Sequence, residues 1–352
     1  MNNLQGLRHS PAVSGRSCGR SSGRCGAAPA RSPADQGHWI NASERQRYPR
    51  RRARGPRRRG PGPGRRRPHG GRPGAATDAP LADGDSTGHF TQPEAQGDAA
   101  ADQMASVVRT GPAPRPPSAP DARAARTEPL PASDPLEATG AEPSPAVGPL
   151  FHTGQGTPGH GCTASVVHSP RGDLIVTAAH CVHMNGFRTD IAFAPGYRDG
   201  VAPYGVWVPT SIDVDPAWAT RRDPDHDVAF LRVRRVGDPT PVERVTGAQK
   251  IAFRPAAHRP ARVIGYPAFG ERPVACQNSI GVLSPTQLRF DCRDLPNGTS
   301  GGPLLTDIDA ATGLGTVNGV VGGHQEGGDE ETSYSPYFGD RIEALYRRAA
   351  YR

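Results

Sequence analysis

From residue 147 onward, the chain alternates short apolar runs with polar breaks. The runs are mostly five to eight residues long and rich in Val, Ile and aromatic residues, and Pro, Gly, Asp or Asn separates them. Short β-branched runs bounded by turn-forming residues are typical of β-strands. The pattern therefore predicts an all-β domain over residues 146–352. Its strands include DIAFA, GVWVPTSIDV, DVAFLRV, ARVIGYP, VACQNSIGVL, QLRFDC, GPLL, TVNGVVGGH and SYSPYF.

Two further runs form a predicted hairpin near the start of this domain. CTASVVHS (Cys162–Ser169) and LIVTAAH (Leu174–His180) flank the tetrapeptide PRGD. Pro, Gly and Asp all favour a tight turn, so we interpret PRGD as the connection between two strands and not as a cell-adhesion ligand. Helical spacing appears in one segment, residues 340–350. Its apolar face consists of Ile342, Leu345, Tyr346 and Ala349.

Residues 1–145 have a different composition. They are rich in Arg, Pro, Gly and Ala, and no apolar run in them reaches seven residues. Such a segment buries too little apolar surface to offset the entropy lost on ordering it. We therefore expect a long disordered N-terminal region that serves as a pro-segment or linker, or that reflects in part a misassigned start.

Charge is distributed unevenly along the chain. Residues 1–75 hold 18 arginines and two acidic residues, so the overall net charge of +8 comes from this segment, and residues 76–352 carry a net charge of −8. Arginine runs can bind phosphate groups, but no interleaved aromatic residues, zinc-ligand spacing or recognition helix accompanies them. We expect a solvated tail that does not bind nucleic acid.

Four of the six cysteines lie in the predicted β domain as two local pairs, Cys162 with Cys181 and Cys276 with Cys292. Each pair would close a loop worth about 3 kcal/mol in the chain-entropy model. Free buried thiols are the alternative, and the spacing does not resemble a metal site. Paired cysteines indicate an oxidising compartment, so we expect a secreted protein, although no signal peptide or membrane span is visible.

The stretch NGTSGGPLL (Asn297–Leu305) places Ser300 among three glycines. Glycine costs about 0.5–1 kcal/mol relative to alanine in regular structure, so a cluster of glycines suggests a backbone that approaches another group closely. A surface turn is the alternative explanation, since the chain contains 44 glycines. A nucleophilic serine would need a base within hydrogen-bonding reach and an acid that orients the base.

Two segments supply candidates for these partners. His180 ends the strand in TAAHC, and Asp227 begins the apolar strand DVAFLRV, where its carboxylate would be largely buried. We interpret the nearby Asp223, Asp225 and His226 as solvated neighbours.

The segments TAAHC, DHDVAF and GTSGGP resemble the three catalytic signatures of the trypsin-like (chymotrypsin-type) serine proteases, in that family's order of His, Asp and Ser. The resemblance covers about residues 148–338 and points to the bacterial extracellular branch of the family. It implies two six-stranded antiparallel β-barrels followed by a short C-terminal helix. It also implies a serine endopeptidase that cleaves proteins or peptides without a cofactor or metal. We expect a monomer that is not bound to a membrane.

The resemblance assigns roles to individual residues. His180 would be the general base and then the acid, Asp227 would orient it, and Ser300 would attack the scissile carbonyl. The backbone N–H groups of Gly298 and Ser300 would form the oxyanion hole. Thr299 replaces an aspartate that pairs with a newly formed N-terminal ammonium in zymogen-type members, so we expect activity without a buried N-terminal amine.

Substrate preference has two opposed interpretations. Asp294 lies six residues before Ser300, the position that supplies the pocket carboxylate for Arg or Lys in trypsin-like members, although Leu295 and Pro296 depart from the usual sequence. His324, in GVVGGHQEGG, resembles a segment of bacterial glutamyl endopeptidases in which a histidine meets an acidic side chain. The preference for the residue before the cleaved bond (P1) is therefore open between basic and acidic.

Two other functions fit parts of the sequence. GTSGG also suits the nucleophile elbow of an α/β-hydrolase esterase, with Asp307 or Asp309 and then His324 as partners. Only 52 residues follow Ser300, however, and alternating strand and helix units are missing from the preceding region. A catalytically silent binding module is the second alternative, but all three triad residues are present.

Overall fold

The computed structural model describes residues 81–111, 126–154, 156–268 and 270–352, which all lie in one compact unit. The described residues form sixteen strands and four α-helices. In chain order the strands are β1 (His89–Thr91), β2 (Thr139–Gly140), β3 (Val147–His152), β4 (Gly159–Val167), β5 (Leu174–Thr177), β6 (Ile191–Phe193), β7 (Val208–Val214), β8 (Ala229–Arg234), β9 (Lys250–Ile251), β10 (Pro260–Gly265), β11 (Val274–Ser279), β12 (Gly281–Ser284), β13 (Gln287–Asp291), β14 (Pro303–Thr306), β15 (Thr316–Val320) and β16 (Thr332–Pro336). The helices are α1 (Glu94–Met104), α2 (Pro216–Arg221), α3 (Val242–Thr246) and α4 (Asp340–Tyr351). The all-β prediction is confirmed.

The first sheet contains seven antiparallel strands in the order β1-β7-β8-β5-β4-β3-β6. The predicted hairpin is present, because β4 pairs antiparallel with β5 and Val167 lies opposite Leu174. Every residue of β5 is buried, which agrees with its uninterrupted apolar sequence. The core of this sheet includes Ile175, Trp207 and Leu231, all fully buried.

The second half of the domain contains two sheets. One has the strand order β2-β11-β10-β14-β15-β9, and the other has the order β12-β13-β16. Most pairs are antiparallel, whereas β9 runs parallel to β15. Val263, Phe290 and Leu304 belong to the buried core of this half. The predicted C-terminal helix forms as α4, which buries Ile342, Leu345 and Ala349 as its sequence pattern indicates, together with Ala350.

The N-terminal region differs from the sequence-based expectation where it is described. Strand β1 adds to the edge of the first sheet by pairing with β7, so this sheet has seven strands and not six. Helix α1 buries Gly97, Ala100 and Met104. The sequence suggested disorder because this region lacks large apolar residues. The helix packs instead through small or flexible side chains, which allow a close approach to the sheet. Residues 1–80 lie outside the described part of the chain, and the domain boundary at residue 145 stays a prediction.

Two disulfides join the cysteine pairs that the spacing indicates. Cys162 on β4 is bonded to Cys181, with their Cα atoms 6.0 Å apart, and Cys276 on β11 is bonded to Cys292, with their Cα atoms 6.6 Å apart. None of the helices in the described ranges combines the length and apolar character needed to cross a membrane.

The ends of three strands bring the candidate chemistry together. His180 follows β5 and Asp227 precedes β8, and these two strands are neighbours in the first sheet. Ser300 precedes β14 in the second half of the domain. The site therefore lies where the two halves meet.

Candidate active site

His180 lies on a short 3-10 turn, Ala179–Cys181, that follows β5 after a single extended residue. The disulfide from Cys181 to Cys162 anchors this turn to β4. The imidazole is 11% exposed, so one edge of the ring reaches the cleft while the other faces the interior.

Asp227 is fully buried and binds both the backbone and the side chain of His180. Its Oδ2 atom lies 2.7 Å from His180 Nδ1, and its Oδ1 atom accepts the backbone N–H of His180 at 2.8 Å. Oδ2 also accepts the backbone N–H of Gly323 at 2.8 Å. A carboxylate that accepts from Nδ1 keeps the proton of neutral imidazole on that nitrogen. Nε2 is then left as the acceptor.

The surroundings of His180 favour its protonated form. Burial by itself lowers the pKa of His180, but the charge of Asp227, the hydrogen bond to it and the charge of Glu326 together outweigh burial and raise that pKa above its ordinary value. A raised pKa makes the imidazole a stronger base, which suits proton removal from a hydroxyl group.

Ser300 and His180 line the same cleft, whose volume is about 670 Å³. Among the described residues, the Ser300 hydroxyl and His180 Nε2 are not joined by a hydrogen bond. The separation between a nucleophile and its base is often longer without a substrate than in the reacting complex. The structure thus brings His180 and Asp227 into direct contact and places Ser300 in their cleft.

Three carbonyl groups of the loop before β14 accept hydrogen bonds from outside the loop. Asn297 O accepts from Ala268 N at 2.8 Å, and Gly298 O accepts from Thr163 Oγ1 at 2.9 Å. Ser300 O accepts from Thr163 N at 2.7 Å. These bonds fix the orientation of three successive parts of the loop.

The N–H groups of Gly298 and Ser300 remain available. Within the described ranges neither N–H has a hydrogen-bond acceptor, whereas the intervening Thr299 N–H donates to Pro296 O. In a trans peptide the N–H points away from the C=O. Because Asn297 O faces Ala268, the Gly298 N–H faces the opposite way. Backbone N–H groups that have no acceptor in the folded protein are the kind of donor that an oxyanion hole requires.

Gly298 has a backbone conformation that only glycine adopts readily. Its φ angle is +102°, and a Cβ atom there would collide with the backbone at Tyr266 and Ala268. This collision explains why the sequence has a glycine two residues before Ser300.

Thr299 is bound within its own loop. Its side chain is largely buried, and its Oγ1 atom donates to Pro296 O at 2.8 Å. A neutral hydroxyl paired in this way offers no partner charge for an ammonium group.

Carboxylates dominate the charge of the cleft. Asp294, Glu326, Asp329 and Glu330 line it, and His180 is the only basic side chain among the described residues that do so. Asp294 and Glu330 are adjacent, because the Asp294 N–H donates to Glu330 O at 2.9 Å. The sequence signal for three of these acids was the run EGGDEE, Glu326–Glu331, which follows His324.

His324 lies outside this cleft. Its exposed ring packs edge-on against Tyr334, with the ring centroids 4.8 Å apart. The esterase partners are also elsewhere, because Asp307 pairs with Arg259 and Asp309 binds the N–H of Thr312. The structure therefore separates His324 and both acids from Ser300.

The neighbours of Asp227 have structural roles. Asp223 accepts the Asp225 N–H at the start of a 3-10 turn, and it lies 3.3 Å from His226 Nδ1. Asp225 accepts from Gln287 Nε2 at 2.8 Å. None of these side chains contacts His180 among the hydrogen bonds and ion pairs of the described residues.

Sequence reasoning missed Thr163 and Gly323. Both act on the site through bonds to residues more than 90 positions away, and a single sequence carries no signal for such contacts. The buried Thr163 directly follows Cys162, so its place beside the disulfide was visible while its hydrogen-bond partners were not.

Comparisons with known proteins identify relatives of this arrangement. Residues 162–314 match a family model described as a trypsin-like peptidase domain. The crystal structure of the protease Anisep from Arthrobacter nicotinovorans is 25% identical, with a TM-score of 0.54, over 61% of this chain and 100% of that chain. The crystal structure of AL20, a thermostable serine protease from an extremophilic microorganism, is 27% identical, with a TM-score of 0.52, over 59% of this chain and 97% of that chain. No curated protein matches the chain.

Proposed function

Since residues 162–314 match a trypsin-like peptidase domain and the chain is a serine endopeptidase, we propose that His180, Asp227 and Ser300 form its catalytic triad. The observation that carries this proposal is the buried Asp227 carboxylate, which holds His180 Nδ1 at 2.7 Å in the cleft that Ser300 lines. The N–H groups of Gly298 and Ser300, for which the described part of the chain offers no acceptor, support it independently.

In the proposed mechanism, His180 Nε2 takes the proton of the Ser300 hydroxyl as Ser300 Oγ attacks the scissile carbonyl. The resulting imidazolium is stabilised by the Asp227 carboxylate, and the carbonyl oxygen becomes an oxyanion bound by Gly298 and Ser300 N–H. His180 then donates its proton to the leaving amine, which leaves an ester between Ser300 and the acyl half of the substrate. Water activated by His180 hydrolyses that ester.

We propose that the residue before the cleaved bond is Arg or Lys. The cleft presents the carboxylates of Asp294, Glu326, Asp329 and Glu330, so a cationic side chain gains favourable charge interactions there and an acidic one is repelled. His324, the candidate for an acidic preference, points its ring at Tyr334 outside this lining.

One experiment tests the catalytic assignment. A serine-directed peptidyl phosphonate should label Ser300, and Ser300→Ala should abolish both labelling and peptide cleavage. Persistent labelling of this variant would refute the assignment. A wild-type protein that binds peptides without cleaving them would support the silent binding module instead.

The P1 proposal is tested separately. In otherwise identical peptides, we expect kcat/KM with Arg at P1 to exceed that with Glu by about 100-fold or more. A preference for Glu would refute the basic assignment without affecting the triad.

We also propose that the enzyme works outside the cytoplasm. Two disulfides, Cys162–Cys181 and Cys276–Cys292, are stable in oxidising compartments. Mass spectrometry of the protein recovered from culture medium should find both bonds, and recovery only as a reduced intracellular protein would contradict the proposal.

A further inference from the structure

Thr163 combines complete burial with contacts to three separate segments of the fold. It lies on β4, and its side chain is inaccessible to solvent. Its Oγ1 atom donates to Gly298 O at 2.9 Å and accepts the Tyr266 N–H at 2.8 Å. A threonine hydroxyl has one proton to donate. Because Tyr266 N–H is a donor, the hydroxyl accepts that bond with its oxygen and uses its own proton for the bond to Gly298 O.

The carbonyl that Thr163 binds is part of the peptide that follows Gly298, and the preceding peptide is held by Ala268 N at Asn297 O. Both torsion angles of Gly298 are therefore constrained from outside the loop. Glycine is otherwise the residue with the greatest backbone freedom, and rotation about it would swing its N–H out of the cleft.

The backbone of Thr163 constrains the second donor. Thr163 N donates to Ser300 O at 2.7 Å, and Thr163 O accepts from Thr177 Oγ1 at 2.7 Å. One residue of the first sheet thus binds the nucleophile loop at both residues that carry the unpaired N–H groups. The adjacent Cys162–Cys181 disulfide connects the same strand to the His180 turn.

From these contacts we infer that Thr163 is a positioning residue. Its hydroxyl group holds the Gly298 N–H in the orientation needed to bind the oxyanion. Its side chain is fully buried and is not among the described residues that line the cleft, so it acts through Gly298 and not on the substrate directly. Its effect is confined to the transition state, because the N–H that it orients binds negative charge that develops only during the reaction. The inference rests on the proposed peptidase function.

The test compares Thr163→Val, which keeps the shape and removes the hydroxyl, with Thr163→Ser, which keeps the hydroxyl. We expect kcat of Thr163→Val to fall about 10- to 100-fold, with KM within about threefold of wild type. Thr163→Ser should retain most of the wild-type kcat. The matched control is Thr246→Val, which removes another fully buried hydroxyl that donates to a backbone carbonyl remote from the cleft.

A peptide aldehyde distinguishes positioning from a general loss of stability. The aldehyde forms a tetrahedral adduct with Ser300 whose oxygen occupies the oxyanion hole, so its Ki in Thr163→Val should rise by the factor by which kcat/KM falls. Thr246→Val should leave both values unchanged. If Thr163→Val does not fold, Thr163→Ala compared with Thr163→Ser gives the same contrast.

Two results would overturn the inference while leaving the peptidase assignment intact. One is a kcat for Thr163→Val, or for Thr163→Ala in its place, within about twofold of wild type. The other is a Thr163→Ser variant as impaired as the variant without the hydroxyl. If the wild-type protein itself neither cleaves peptides nor reacts with the aldehyde at Ser300, the proposed function fails first.

Discussion

The substitution Asp227→Asn tests how the buried carboxylate supports His180. Oδ2 accepts two N–H groups and Oδ1 accepts one, so the carboxylate meets three donors. An amide has one oxygen and one NH₂ group, so it must turn its NH₂ toward a donor in either orientation. With the amide oxygen at the Oδ2 position, the NH₂ faces the His180 backbone N–H. With the amide reversed, the NH₂ donates to His180 Nδ1 and shifts the imidazole proton to Nε2, which can then no longer act as the base.

Both orientations also remove the negative charge that stabilises the imidazolium. A fully buried carboxylate at 2.7 Å from Nδ1 has no solvent to replace it. Replacing the corresponding aspartate of a catalytic triad by asparagine, which changes both the charge and the imidazole tautomer, lowers kcat by about 10⁴-fold, or about 5.4 kcal/mol of transition-state stabilisation. We expect a loss of this size for Asp227→Asn at neutral pH.

The assay measures kcat and KM with a peptide that the wild-type enzyme cleaves, and nitrogen NMR of His180 reports which ring nitrogen carries the proton. Asp225→Asn is the matched control, because it makes the same chemical change two residues away, where an amide oxygen can still accept from Gln287. This control should retain wild-type kcat. If Asp227→Asn kept kcat within about tenfold of wild type, our assignment of the carboxylate would be refuted.

Three further predictions concern the pH response and stability of the protein. Glu326→Gln removes a negative charge that helps raise the pKa of His180. Since the base must be neutral, the rise of kcat/KM with pH should move to lower pH in this variant. A rise at the same pH as in the wild type, or at higher pH, would contradict the assigned charge effect. Met104→Ala removes a fully buried side chain of α1 and should lower the free energy of unfolding in urea by about 2–5 kcal/mol. Gln103→Ala, at an exposed position of the same helix, should leave it unchanged. A Met104→Ala variant as stable as the wild type would show that α1 does not belong to the folded domain. Burial and the charge of Arg188 lower the pKa of His152 to about 4, so the unfolded chain takes up a proton there before the folded protein does as the pH falls below 6.5. Through this residue, the free energy of unfolding should therefore decline by on the order of 3 kcal/mol between pH 6.5 and pH 4. Urea unfolding of His152→Gln should show a smaller decline over this pH range, and a decline as large as that of the wild type would contradict the prediction.

The resemblance to trypsin-like serine proteases and the all-β fold could be predicted from the sequence. TAAHC, DHDVAF and GTSGGP each combine a reactive residue with the local features that position it: a cysteine that can anchor the turn, an apolar strand that buries a carboxylate, and glycines that allow close backbone contact. These features are local in sequence, so they can be recognised without a structure.

The contacts that support these residues could not be predicted. Gly323 and Thr163 reach Asp227 and Gly298 through backbone and side-chain bonds that exist only after the two halves of the domain pack together. Helix α1 was not predicted for another reason. Its buried face consists of Gly97, Ala100 and Met104, so the sequence shows little apolar periodicity there. Asp294 could be predicted as a pocket carboxylate, but Glu326, Asp329 and Glu330 could not, because the sequence does not show that the loop after His324 folds onto the same cleft.

The most direct measurement of the central claim is a crystal structure of the enzyme after reaction with the peptidyl phosphonate. We predict phosphorus bonded to Ser300 Oγ, with one phosphonyl oxygen about 2.7–3.1 Å from the backbone nitrogens of both Gly298 and Ser300, and His180 Nε2 facing the adduct. Phosphorus attached to another residue, or a phosphonyl oxygen turned away from both nitrogens, would contradict the account.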